Sequence, residues 1–330
     1  MHLLIRFMAL IFSVIGANGH TLSTYNNPVI EKSLPDPAVV SDGEGNYYIY
    51  STNASKKTPI YRSSDLVKWT YCSDAFTPEQ MPKGLPKGAI WAPDVIKYDG
   101  QYVMAYSYSQ WGEVKKNGIG IAVAESPKGP FMNQGMLFTS EECGVDNSID
   151  PAFFIEKGRL YLLWGSFRGV YIVELNKDKK GRFYIQDIDA KQKIAGNAFE
   201  GSHIFKRGKY YYLFASVGKC CQQDNSTYRV VVGRSKNLFG PYVDSSGNGM
   251  LDNGYDFVLG PNDKFVGTGH GSTIITDKDG KTWYIYHAYE RGQGKKGRMV
   301  LLDEIKWDKE GWPYVYKGEP STGKVVAPKF

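Results

Sequence analysis

Apolar and aromatic residues along this chain come in short runs, each broken by a polar turn that carries glycine. Ser148-Ile149-Asp150-Pro151-Ala152-Phe153-Phe154 sets the form, followed by the turn Glu156-Lys157-Gly158-Arg159 and the run Leu160-Tyr161-Leu162-Leu163-Trp164. Leu34-Pro35-Asp36-Pro37-Ala38-Val39-Val40, a turn through Gly43 and Gly45, and Tyr47-Tyr48-Ile49-Tyr50 repeat it. Ala92-Pro93-Asp94-Val95-Ile96 opens a looser copy that turns at Asp99-Gly100 and returns through Tyr102 to Tyr106. Two more copies run from His203 to Phe214 and from Ser272 to Tyr286. Strand-forming runs bounded by glycine turns predict β-hairpins, and no segment sustains a helical period over several turns.

The leading residues fall near positions 36, 94, 150, 200 and 270, a spacing of roughly 50–70 residues that reads as propeller blades of about four strands each. Five copies predict an all-β, five-bladed β-propeller spanning residues 20–330 as one domain, because such repeats bury their faces only against their neighbours. Two Gly-Pro-aromatic turns, at Gly129-Pro130-Phe131 and Gly240-Pro241-Tyr242, each follow an alternating strand and support the repeat. The charge runs Lys177 to Arg182 and Gly292 to Arg298 read as solvated loops. Glycine-rich Asp244 to Gly267 reads as a long connection into the fifth blade. Proline fixes its own φ and biases the residue before it towards extended backbone. Asp36 and Asp150 are therefore expected to be extended, each at the first position of a strand.

A hydrophobic content of 42% and an aromatic content of 14% are ample for a core, and the net charge of +6 is dispersed. With no arginine-rich block, nucleic acid is not an expected partner. Arg6, the apolar run Phe7 to Ile15 and the small residues Ala17-Asn18-Gly19 form the pattern of a secretory signal peptide over 1–19. The run is too short for a membrane span, no later segment approaches that length, and no cysteine stands at the cleavage point to carry a lipid. A secreted or periplasmic monomer beginning near His20 is expected. Cys72, Cys143, Cys220 and Cys221 allow three pairings. Adjacent residues hold their Cα atoms closer than an ordinary disulfide prefers, so a Cys220–Cys221 bridge would be strained. A bridge from Cys72 or Cys143 to one of them stays open. No Cys-x-x-Cys spacing points to zinc. Asn53-Ala54-Ser55 and Asn225-Ser226-Thr227 fit the glycosylation sequon.

A propeller brings the starts of its innermost strands to one end of a central channel. Asp36, Asp150 and Glu200, far apart in sequence, should converge there. Three carboxylates around one depression suit glycoside hydrolysis, in which one protonated acid releases the leaving sugar and one ionised carboxylate activates water or attacks the anomeric carbon. Burial and like charge raise the pKa of whichever group serves as the acid. One Asp-Pro alone is as well explained as a turn marker. Two in register with a repeat, and a glutamate at the fourth, are not.

Asp-Pro-Ala-Val at 36–39, Trp-Ala-Pro-Asp-Val at 91–95, Ser-Ile-Asp-Pro at 148–151 and Glu-Gly-Ser-His at 200–203 together resemble glycoside hydrolase family 43. Trp164-Gly165-Ser166-Phe167, Cys220-Cys221 with Asn225 to Tyr228, Gly269-His270-Gly271-Ser272 and His287-Ala288-Tyr289 are similar to its endo-α-1,5-L-arabinanase branch. The resemblance implies an inverting hydrolase of arabinan, a neutral side chain of pectin. Asp36 matches the general base, Glu200 the general acid, and Asp150 the carboxylate that orients the acid and keeps its pKa high. Inversion needs room for a water, so the two outer carboxyls should lie roughly 6.5–9.5 Å apart. His270 matches a histidine that faces a calcium ion in the channel, held otherwise mostly by water. Gly112, Asn147, Ser148 and Ser166 match positions lining the central sugar subsite. Trp91 is open to two readings, stacking on a sugar face or packing between blades. His203, counted with the sugar-binding set, and His287 are expected as wall residues that hydrogen-bond the acidic cluster. Arg168 departs from the aromatic residue found in related arabinanases, which bears on one flanking subsite. Alternatives are an exo-acting α-L-arabinofuranosidase or β-xylosidase of the same family, or a sugar-binding propeller without catalysis.

Overall fold

A computed structural model describes residues 23–52, 58–83 and 88–330. The signal-like segment, Asn53-Ala54-Ser55 and most of the Gly84–Gly88 connection lie outside the described residues. The expected five-bladed β-propeller is present. Blade one is Ala38–Ser41, Tyr47–Tyr50, Pro59–Ser63 and Thr70–Asp74. Blade two is Ala89–Tyr98, Gln101–Ser109, Gly118–Ala124 and Met132–Thr139. Blade three starts with Ala152–Glu156, Arg159–Trp164 and Val170–Lys177, and its edge is split between Phe183–Tyr184 and Gln192–Ala195. Blade four is Glu200–Arg207, Tyr210–Val217, Arg229–Ser235 and Asp256–Leu259. Blade five sets Phe265–Gly269 and Ile275–Thr276 against Thr282–Glu290, then adds Met299–Trp307 and Pro313–Val315.

The stretch read as a long connection thus holds two strands, the edge of blade four and the inner strand of blade five. Phe265-Val266-Gly267-Thr268-Gly269 has too few side chains to show an alternating pattern. Among the described residues the α-helix is confined to Ser140–Cys143.

Strands in this fold are covered on both faces, which explains why Tyr47–Tyr50 and most of Thr282–Glu290 are buried without alternation. Five apolar clusters lie between successive blades. Tyr50, Met104 and Phe131 belong to the one between blades one and two, and Leu163, Phe199 and Leu213 to the one between three and four. Between blades five and one, Trp283, Ile285 and Leu302 pack on Val39, Ile49 and the incoming segment's Tyr25, Ile30 and Leu34.

That segment closes the ring. Thr24–Tyr25 pairs with Val325–Val326, and the amides of Val29 and Ile30 donate to the Val300 carbonyl. Buried Asn27 donates through Nδ2 to the Leu302 carbonyl at 3.0 Å and to Asp303 Oδ2 at 3.0 Å, while its Oδ1 accepts from the Leu302 amide at 2.9 Å. Replacing Asn27 by Ala leaves those buried groups without partners, which costs roughly 1–3 kcal/mol. Urea unfolding of Asn27→Ala should show a lower midpoint at an unchanged slope. An unchanged midpoint would mean the clasp contributes nothing.

Candidate active site

Each blade begins with one residue in the left-handed backbone region: Asp36 (φ 55°), Ala92 (40°), Asp150 (59°), Gly201 (54°) and His270 (42°). Side-chain-bearing residues sit there rarely, Asp and Asn more than most. Asp36 and Asp150 are therefore not extended as their prolines led us to expect, and the strands after them start two residues later, at Ala38 and Ala152. The turn into the channel mouth overrides the local preference. Each turn is held from the preceding blade. Ala92 N donates to Thr52 Oγ1 at 2.7 Å, Asp150 N to Ser107 Oγ at 2.8 Å, His270 N to Ser216 Oγ at 2.8 Å and Asp36 N to His287 Nδ1 at 3.1 Å. The fourth position differs. Gly201 N donates to Asp150 Oδ2 at 3.3 Å, and the hydroxyl that would have met it, Ser166 Oγ, donates to Glu200 Oε2 at 2.6 Å. Gly201 cannot carry a Cβ, which would lie 2.8 Å from the His270 ring.

The turns bring Asp36, Asp150, Glu200, His270 and Arg298 to the centre of a cleft of about 600 Å³. Blade two and the loop after it contribute Trp91, Trp111, Gly112 and Asn147 to the lining, and blades three and four contribute Ser166, Phe167, Tyr228 and the Cys220–Cys221 bridge. Asn147 donates to Ser166 Oγ at 3.0 Å and so sets the hydroxyl that holds Glu200. Trp91 sits against Trp111, ring centroids 6.3 Å apart, and Trp111 is 80% exposed. Ser148 and His203 are not in the lining. Ser148 is fully buried, donating to the Val145 carbonyl and accepting from Trp164 Nε1. His203 lies deeper, stacked on Phe214 at 5.2 Å, and neither ring nitrogen meets a partner, so it does not hydrogen-bond the acidic cluster. His287 does, through the Asp36 amide.

The carboxylates are 8% exposed at Asp36, 6% at Asp150 and 7% at Glu200, so neighbours decide their charge. Burial would raise Asp36, but it is outweighed by the Arg298 guanidinium, whose Nη1 donates to Oδ1 at 2.7 Å, with help from the Thr52 hydroxyl, which donates to Oδ2 at 2.6 Å. Asp36 is held well below the usual carboxylate range. Burial raises Asp150, and the charges of Glu200 and Asp36 raise it further. Glu200 is also raised, first by burial, with Ser166 opposing. One carboxylate stays ionised while the other two together hold on to a proton. His287 accepts at Nδ1 and is burdened by burial, so it is a neutral imidazole with its proton on Nε2. Asp94, the looser copy, turns away from the cleft. Its Oδ2 accepts from the Phe153 amide at 2.7 Å, and burial pushes its pKa up to about 7.

Below the cleft the channel narrows to about 30 Å³, room for water and not for a sugar. No group of three or more His, Cys, Asp or Glu side chains that could hold a metal occurs among the described residues. The donor set therefore does not form a calcium cage of protein oxygens. It fits an ion held by His270 and water, because the orphaned buried atoms Ser202 Oγ, His203 Nδ1 and His203 Nε2 belong to residues bordering the same space.

Arg298 was missed because it closes the run read as a solvated loop. Its side chain is only 15% exposed, and the strand that starts at Met299 aims it at Asp36 from 262 residues away. Thr52, Trp111 and Tyr228 were missed as well. Cys220 joins Cys221, their Cα atoms 3.8 Å apart, so of the pairings left open by the sequence the structure has the one between neighbours. Cys72 sits on the outer strand of blade one and Cys143 on the buried side of the short helix after blade two, both free and neither in the cleft lining.

A five-bladed propeller with a carboxylate triad of divided charge across an open cleft is the machinery of a glycoside hydrolase. Residues 25–313 match the family model of glycosyl hydrolases family 43, and the chain belongs to that family. It is 34% identical over 307 residues to an extracellular exo-α-(1→5)-L-arabinofuranosidase of Cellvibrio japonicus, with 86% of each chain covered. It is 31% identical to an extracellular endo-α-(1→5)-L-arabinanase of Bacillus subtilis, covering 85% of this chain and 87% of that one. Among solved structures, an α-L-arabinanase of Cellvibrio cellulosa superposes with a TM-score of 0.75 at 31% identity, over 86% of this chain and 95% of that one. No helix among the described residues is long and apolar enough to cross a membrane.

Without Arg298 the burial of Asp36 is no longer opposed by a full charge. In Arg298→Met the Asp36 carboxyl should titrate at higher pH than in the wild type, followed by carbon NMR of labelled aspartate. The acid-side loss of activity should move up with it, and Arg298→Lys should restore part of the shift. An unmoved titration would mean the guanidinium does not set the charge of Asp36.

Proposed function

We propose that this protein hydrolyses α-1,5-linked L-arabinan internally, outside the cytoplasm, by a single displacement that inverts the anomeric centre. The observation that carries the reading is a cleft of about 600 Å³ that gathers all three carboxylates with a long lining, Trp91 and Trp111 from blade two and Phe167 with Cys220–Cys221 from blades three and four. A chain lying across such a cleft presents an internal bond to the centre.

Asp36, ionised and fixed by Arg298 and Thr52, takes the proton of the attacking water. Glu200 delivers a proton to the departing oxygen, its pKa raised by burial and its carboxyl aimed by Ser166. Asp150 holds the Gly201 amide and, through its charge, keeps Glu200 protonated once it has itself ionised. Arabinan carries no charge. The asymmetry of the site therefore serves proton transfer and not substrate capture. Calcium, when bound at His270, would add positive charge below Asp36 and Asp150 and favour their ionised forms. His270 Nδ1 lies 3.4 Å from Asp36 Oδ1 and 3.9 Å from Asp150 Oδ2.

The test is a time course on debranched linear arabinan beside a Glu200→Ala control. Early oligosaccharides of mixed length support internal cleavage, whereas a single short product from the outset assigns the protein to the exo-acting reading, which the Cellvibrio japonicus relative favours. Glu200→Ala should lower turnover on arabinan by about 10²–10⁴-fold. The loss should be much smaller on an aryl arabinofuranoside whose leaving group needs no proton. Equal losses on both substrates would contradict the acid assignment.

A further inference from the structure

We propose that the groove between blades three and four binds the distal sugars of the chain being cut, with Tyr255 as their platform. The proposal rests on the arabinanase reading of the cleft. The groove has a volume of about 730 Å³ and adjoins the cleft, the two sharing Phe167 and Cys220, so a chain seated over Glu200 has this surface next to it.

Its chemistry suits a neutral, hydroxyl-rich ligand. No aspartate or glutamate lines it. Lys219, Gln222 and Arg229 stand exposed with hydrogen-bond donors, and the aromatic ring of Tyr255 is 37% exposed beside them. The other large recess, behind blade three, is different. There acidic and basic side chains line the wall together, with Arg159 paired to Glu174 and Lys177 to Asp99.

Tyr255 is also rigidly mounted. Its ring meets Phe199 edge-on, centroids 6.0 Å apart at 83°. Asn253 Oδ1 accepts from the Ala198 amide at 3.0 Å, Asn253 Nδ2 donates to Asn197 Oδ1 at 3.0 Å, and Gly196 N donates to the Met250 carbonyl at 2.8 Å. A Cβ on Gly196 would collide with the Asn253 side chain, so the two loops meet as closely as backbones can. The platform is thus clamped to the segment that leads into Glu200. A pre-ordered aromatic surface binds without the entropy cost of ordering a loop.

The experiment compares wild type, Tyr255→Ala and Tyr255→Trp on long linear arabinan and on arabinobiose, with thermal melts to establish folding. For Tyr255→Ala, kcat/KM on the polymer should fall about tenfold, mostly through KM, and at least about fivefold more than on arabinobiose. Tyr255→Trp should restore the polymer preference. Equal losses on both substrates, or no loss on either, would overturn the proposal. So would competitive inhibition by polygalacturonate that Tyr255→Ala relieves, since that would make the groove a site for acidic sugars. A folded wild type that cuts neither arabinan nor arabinobiose would overturn the arabinanase reading itself, a result distinct from cleavage that ignores Tyr255.

Discussion

The site depends on a backbone constraint. Five chain segments must turn left-handed at the channel mouth, before or within their inner strands, and four of those five positions carry side chains. Each such turn costs on the order of 1–3 kcal/mol unless the surroundings hold it. Holding is done by the blade before, through Thr52, Ser107, Ser216 or His287. The ring of turns is therefore also a ring of inter-blade hydrogen bonds, and it points Asp36, Asp150 and His270 into the same space. At the fourth position glycine relieves the strain, and the hydroxyl that is no longer needed there, Ser166, is free to grip Glu200. Glu200 differs from the other carboxylates because its blade begins differently.

Charge is then divided by what lies within reach. Arg298 neutralises Asp36, while no cation has a comparable contact with Asp150 or Glu200 among the described ion pairs. Three carboxylates of similar burial end up with opposite tendencies. The same economy appears at the ring closure, where Asn27 and Asp303 join the incoming segment to blade five around one buried amide.

The hairpins were legible because glycine turns and aromatic runs mark them locally, and the five starting positions followed from the repeat. Asp36, Asp150 and Glu200 could be placed together on that basis alone. In blade five the strand Ile275–Thr276 falls within the expected copy, but Phe265–Gly269 was not legible, since Gly267 and Gly269 erase its pattern. Nor were the left-handed turns, because proline next to Asp36 and Asp150 points locally to extended backbone and only the closed ring imposes the other conformation. Arg298 sits among lysines and glycines, and nothing near it in sequence marks the aspartate it serves. Ser148 fits a sugar-lining motif in sequence, yet its side chain turns inward to Trp164. His203 likewise follows the acid in sequence while its ring stacks away from the cleft.

The proposed mechanism divides the labour between Asp36 as base and Glu200 as acid. Its most direct test is the anomeric configuration of the first-formed product, followed by proton NMR before mutarotation sets in. A single displacement through water held by Asp36 gives the β-arabinofuranose end from an α-linkage. Appearance of the α-anomer first would mean that a carboxylate attacks the sugar itself, and would contradict the account.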